Sequence, residues 1–114
     1  MIKHLEKESD FEKIISEDEK VIVDFYADWC GPCKRLGRTF ESFQNDYDDI
    51  TILKVNVDSF PNIAALFNVV SIPYLVGYIN GKRVDFVYPD SSKHADILGA
   101  MEEDELKLVL DQTF

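Results

Sequence analysis

Cysteine is scarce, with two in 114 residues. That is too few for a secreted scaffold stapled by disulfides. It is also too few for a closed four-ligand zinc site unless both histidines, His4 and His94, join the pair. Long apolar runs are missing as well. Stretches such as Val21-Ile22-Val23 fall far below the ~20 residues that a membrane helix needs. The start, Met1 to Glu8, has acids where the apolar core of a signal peptide would stand. A reducing cytoplasmic setting and no membrane partner are expected. Basic residues are outnumbered, 12 against 22 acidic ones, for a net charge of −10. A nucleic-acid binder would need the opposite balance to neutralise phosphates, and an anionic membrane surface would repel this chain. Internal repeats, low-complexity segments and linkers are absent.

What is present suffices for one domain, 1–114, expected to be a monomer. With 46% hydrophobic residues the chain is no disordered tail. Its 13.1 kDa mass predicts a folded surface of roughly 6,400 Å², about a third of the unfolded one.

Apolar spacing predicts the elements. Phe11, Ile14 and Ile15 mark a short helix over 9–16. Val21 to Ala27 is nearly continuous and β-branched, as in a strand buried on both faces. Leu36, Phe40, Phe43 and Tyr47 predict a helix from about 33 to 48. A second buried strand spans Ile50 to Val57, and a short helix Phe60 to Asn68. Tyr74 to Ile79 is a third strand, with Gly77 inside it suggesting a bulge or a close backbone approach. Asn80-Gly81 signals a hairpin into a fourth strand, where Val84, Phe86 and Tyr88 alternate. Residues 89–98 read as irregular, and Leu106, Val109, Leu110 and Phe114 line a last helix. Strands separated by helices imply parallel pairing, and the hairpin adds antiparallel strands. The fold class is α/β, a central mixed β-sheet flanked by helices on both faces.

Trp29-Cys30-Gly31-Pro32-Cys33-Lys34 sits where a buried strand ends and a helix begins. A helix N-terminus offers unpaired N–H groups and positive dipole charge, which stabilise a thiolate. Cys30 is expected near the cap. Cys33, one turn in, is expected to be more buried and to remain a thiol until needed. Pro32 restricts the turn between them. Lys34, Arg35 and Arg38 add positive charge, with no acid from 31 to 40. A C-x-x-C pair is also half of many zinc sites, but no second pair exists here and the strand-to-helix setting points to redox chemistry.

Asp24 is a carboxylate among residues that all predict burial. Its pKa should rise, because burial penalises the charged form. It either caps a strand end or accepts a proton from Cys33.

These motifs together resemble the thioredoxin family over nearly the whole chain. Val21 to Lys34 is similar to its signature strand and active site, Lys54 to Asp58 to its next strand, and Ser71-Ile72-Pro73 to its cis-proline loop. Asn80-Gly81 matches the hairpin, and Leu98-Gly99-Ala100 the last groove loop. The resemblance implies a thioredoxin fold and protein disulfide reduction through Cys30 and Cys33. It favours Asp24 as the proton acceptor and implies Lys54 as its charge partner. It implies a cis bond before Pro73 and a substrate groove bounded by Trp29, Gly31, Pro32, Ile72, Pro73, Gly99 and Ala100. No bound cofactor or metal is implied. The partners implied are disulfide-containing proteins and a flavin-containing, NADPH-dependent thioredoxin reductase. A specialised redox donor for one partner and a non-catalytic binding subunit are the alternatives.

The sequence also departs from the family pattern. Tyr26 replaces a frequent tryptophan, Tyr74 a usual threonine, and Gly37-Arg38 lies where a kinking proline is common. Between Gly81 and Gly99 stand 17 residues, more than the pattern has. Lys82 to Tyr88 reads as the expected strand, so the surplus is placed at an extra loop of about 89–98. That loop is expected to rim the groove, either as neutral surface or as a selector of partners.

Overall fold

Every second residue of the central strands faces one side of a sheet, and the sequence puts apolar side chains on both sides. The computed structural model describes residues 1–114 and has an accessible surface of 6247 Å². The strands are β1 (Ile2–His4), β2 (Lys20–Tyr26), β3 (Ile50–Asn56), β4 (Tyr74–Ile79) and β5 (Lys82–Val84), in spatial order β1-β3-β2-β4-β5. β1, β3 and β2 run parallel, whereas β4 is antiparallel to β2 and β5. The helices are α1 (Asp10–Glu17), α2 (Gly31–Phe43), α3 (Pro61–Leu66) and α4 (Glu103–Thr113).

Alternation sorts the core into two layers. Ile22, Ile52 and Leu75 pack with Leu36 and Phe40 of α2 and Leu106, Val109 and Leu110 of α4. Val21, Val23, Phe25, Leu53 and Val55 pack on the other face with Phe11 and Ile15 of α1 and Ile63 of α3. Asp24 shares the face of Ile22, and Lys54 that of Ile52, so both lie on the α2 side.

Several expectations change. Helix α2 stops at Phe43 and a 3₁₀ turn covers Gln44–Tyr47. Asn45 and Asp46 are poor helix interior residues, and a tighter turn still lets Tyr47 pack on Phe43, ring centres 5.2 Å apart. Gly77 is not a bulge, for the β2–β4 register runs unbroken through it. A Cβ there would stand 3.3 Å from Phe114 and 3.4 Å from Phe86, so the glycine makes room for two rings. β1, which had no sequence signal, extends the sheet beyond β3.

The largest change concerns the fourth strand and the extra loop. Pairing with β4 stops at Val84, because Phe86 and Val87 are drawn toward α4 and the C-terminus. Phe86 is wholly buried beside Phe114, and the Val87 N–H donates to Thr113 Oγ1 at 2.8 Å. β6 (Phe86–Val87) forms a hairpin with β7 (Lys93–His94). The chain then returns as β8 (Ile97–Leu98), which pairs with Leu75 and Tyr74 of β4. Residues 89–98 are thus not all irregular, and Ile97–Leu98 covers the Tyr74–Leu75 end of the sheet edge, while Lys82–Val84 covers only the Gly77–Ile79 end.

Candidate active site

The end of β2 delivers the chain directly to the first turn of α2. Cys30 is the N-cap residue, and the Cys33 N–H donates to its Sγ at 3.2 Å. Pro32 fits this first turn, where a missing N–H leaves no bond unmade. The two cysteines are joined as a disulfide with Cα atoms 5.2 Å apart. Both are buried, Cys30 at 4% and Cys33 at 2% exposure, so the expected contrast in depth is slight. Lys34, Arg35 and Arg38 are exposed on the same helix.

The Ile72–Pro73 bond is cis, and the Ile72 carbonyl oxygen lies 3.8 Å from Cys30 Sγ. Pro73 is buried, and its carbonyl accepts the Gly99 N–H at 2.9 Å. Gly99 has φ +82°, a left-handed conformation that glycine adopts freely, and Ala100 after it packs on the core of the α2 side. Gly31 and Pro32 are exposed, and nothing lies within 4 Å of where a Gly31 Cβ would stand. Trp29 is 71% exposed beside Cys30. Its indole N–H donates to Asp58 Oδ2 at 2.9 Å, and Asp58 is held in turn by its N–H donating to Asn56 Oδ1 at 2.9 Å. Of the residues expected to line a groove, Ile72 packs against the cysteines, Trp29, Gly31 and Pro32 adjoin them in the chain, and Gly99 is tied to Pro73. Asp58 was not foreseen, although Asn-x-Asp at a strand end is an Asx-turn pattern.

On β2, four residues before the Asp28-Trp29-Cys30 turn and on the α2 side of the sheet, Asp24 is 1% exposed, with neither carboxylate oxygen hydrogen-bonded. Burial pushes its pKa up to about 7, against a smaller opposing pull from Lys54. Lys54 stands at the matching register position on β3, half-buried, with Nζ 4.4 Å from the centre of the Tyr26 ring. Gly37 leaves that ammonium space, since a Cβ there would lie 3.4 Å from Nζ. Lys54, Tyr26, Ala27, Asp28, Lys34, His4 and Cys33 line a cleft of about 390 Å³ that opens this side of the site to solvent. No three His, Cys, Asp or Glu side chains are grouped where they could hold a metal ion.

Residues 2–112 match the family model described as Thioredoxin. The chain belongs to the thioredoxin family. It is 42% identical to Thioredoxin-1 of Schizosaccharomyces pombe over 85 residues, covering 75% of this chain and 82% of the relative. It is 40% identical to Thioredoxin of Mycoplasmoides gallisepticum over 84 residues, 74% of this chain and 84% of the relative. The oxidised thioredoxin from Plasmodium falciparum superposes with a TM-score of 0.79 at 35% identity, covering 98% of this chain and 97% of that one. The chain has the thioredoxin fold, an α/β mixed sheet flanked by helices. Family membership and the Cys30–Cys33 pair make it a thiol–disulfide oxidoreductase with the equipment of a protein disulfide reductase. Thioredoxins need no cofactor, since the electrons travel on the two sulfurs. No helix is long and apolar enough to cross a membrane.

Proposed function

We propose that the reduced protein acts through Cys30 as nucleophile and Cys33 as resolving thiol. The observation that carries this is the placement of Cys30 at the cap of α2, where the Cys33 N–H points at its sulfur. The Cys30 thiolate attacks one sulfur of a substrate disulfide and expels the other as a thiolate. Cys33 then loses its proton, attacks Cys30 and releases the second substrate thiolate. Two electrons pass to the substrate and the Cys30–Cys33 disulfide is left. Asp24 is the acceptor for the Cys33 proton. A carboxyl with a pKa of about 7 exchanges protons readily at neutral pH. Lys54 acts on Asp24 through its charge, limiting the rise that burial causes.

The substrate lies as an extended segment against the Ile72 backbone, between Trp29 and Gly31-Pro32 on one side and Gly99-Ala100 on the other. The oxidised protein is recycled by a flavin-containing, NADPH-dependent thioredoxin reductase. It works as a monomer in the cytoplasm, as one domain over 1–114, and serves disulfide-bearing proteins generally rather than one partner. The net charge of −10 favours proteins over nucleic acid as partners.

Trapping tests this reading. Cys33→Ser should accumulate mixed disulfides on Cys30 with proteins of a cell extract, seen on non-reducing gels and identified by mass spectrometry. Many trapped proteins support a general reductase, and a single one a dedicated donor. Cys30→Ser should trap none; adducts formed equally by both variants would overturn the assignment of roles. Replacing both cysteines by serine separates catalysis from clamping, since a non-catalytic subunit would keep its effect.

A further inference from the structure

The segment from Phe86 to Leu98 takes no part in the chemistry described above, yet it rejoins the sheet beside the cis proline. Tyr74, the residue after Pro73, stands opposite Leu98, and Leu75 opposite Ile97. Two register pairs are a weak hold, since isolated strand pairs this short are marginal. Three hydrogen bonds fasten the return. Tyr74 Oη donates to Asp96 Oδ2 at 2.8 Å. Arg83 Nη2 donates to the Ala95 carbonyl at 3.0 Å. The Gly99 N–H donates to the Pro73 carbonyl at 2.9 Å. The Tyr74 ring is anchored on the core, 6.0 Å from the centre of Phe25. Burial, and then the Asp96 carboxylate, push its phenol above the ordinary value, so the hydroxyl remains a donor at neutral pH. Just past this tie, Leu98 is 59% exposed and leads directly into Gly99 and Ala100.

We propose that the Tyr74–Asp96 pair is a strut that sets the Leu98–Gly99–Ala100 wall against the cis-proline loop, making both positioning residues for recognition of protein disulfides. Its partner class is an extended polypeptide segment whose residues beside the disulfide reach Leu98 as well as the Ile72 backbone. A small aromatic disulfide needs only access to Cys30 and is indifferent to that wall. The proposal rests on the reductase reading given above. Asp96 thus links the extra segment to the groove.

The test compares Tyr74→Phe, Asp96→Ala and Asp96→Asn with the wild type. Each is assayed on insulin and on 5,5′-dithiobis(2-nitrobenzoate). Losing one such hydrogen bond should raise KM for insulin about 3- to 10-fold with kcat unchanged. Rates with the small disulfide should stay at the wild-type level. Asp96→Asn keeps an oxygen that can accept from Tyr74 and should restore most of the insulin KM, whereas Asp96→Ala should not. A merely structural role would not produce this split or this rescue. Equal losses on both substrates, or no change in the insulin KM, would overturn the strut. If Asp96→Ala fails to fold, Tyr74→Phe, which removes one oxygen, decides the matter. A wild type that reduced the small disulfide but no protein disulfide would overturn the reductase reading and the strut together.

Discussion

Asp24 and Lys54 occupy matching register positions on neighbouring parallel strands, yet no ion pair joins them. The ammonium turns to the Tyr26 ring, and the carboxylate keeps no hydrogen-bond partner. The pair therefore costs stability whenever Asp24 is ionised.

The sign of that cost can be measured. Unfolded, Asp24 titrates near 3.8; folded, near 7. Between those values the native state holds a proton that the unfolded state has released, so stability falls as pH rises through this window and levels off above it. Asp24→Asn abolishes the slope. It should stabilise the oxidised protein by about 4 kcal/mol at pH 8 and by almost nothing below pH 4. Denaturant midpoints recorded across pH check this. A gain independent of pH would mean that shape, not charge, sets the cost.

The Cys30–Cys33 pair, the buried Asp24 and the two-sided strands were legible in the sequence, because each is a short-range pattern with one physical meaning. A carboxylate inside Val-Ile-Val-Asp-Phe-Tyr has nowhere to go but the core. The path after Val84 was not legible in this way. Val84, Phe86 and Tyr88 alternate as a strand should, but alternation reports burial and not the neighbour. Phe86 finds its neighbour in Phe114, 28 residues further along, and the Gly77 gap that admits both rings reads locally as a bulge or a close backbone approach. Long-range capture of this kind leaves no periodic trace. The same holds for the Tyr74–Asp96 bond and for β1, a three-residue strand among charged residues.

That capture makes the start of the extra segment a core element. Phe86 is wholly buried between the sheet and α4. Phe86→Ala should cost about 3–5 kcal/mol, as large-to-small changes at filled sites do. Ser91→Gly, at an exposed position with φ +72° on the hairpin tip, should be neutral or slightly stabilising. Thermal unfolding of the two variants checks the contrast. A Phe86→Ala loss below 1 kcal/mol would mean that β6 is only draped on the core.

Trp29 projects its ring into solvent while its N–H is tied to Asp58, which keeps a large apolar surface in one orientation beside Cys30. Asp58→Ala should free the ring. Exposed hydrogen bonds contribute little to folding, so stability should change by less than about 1 kcal/mol. The indole fluorescence anisotropy should drop, and KM for protein disulfides should rise. An unchanged anisotropy would remove Asp58 from the account of the groove.

Lys54 opposes the effect of burial on Asp24, so its removal has a definite direction. Lys54→Met keeps much of the stem that packs by Tyr26 but deletes the charge. The Asp24 pKa should then move further above 7, because only the desolvation cost remains. Fewer molecules hold an ionised Asp24 at neutral pH, so resolution of the mixed disulfide by Cys33 should slow several-fold there. The rate should recover at higher pH, displacing the rising limb of the pH–rate profile in the alkaline direction. Attack by Cys30 does not use Asp24, so the rate of forming the mixed disulfide should keep its pH dependence. Stopped-flow measurement of the two steps distinguishes them. If both limbs move together, Lys54 acts on the whole site and not through Asp24.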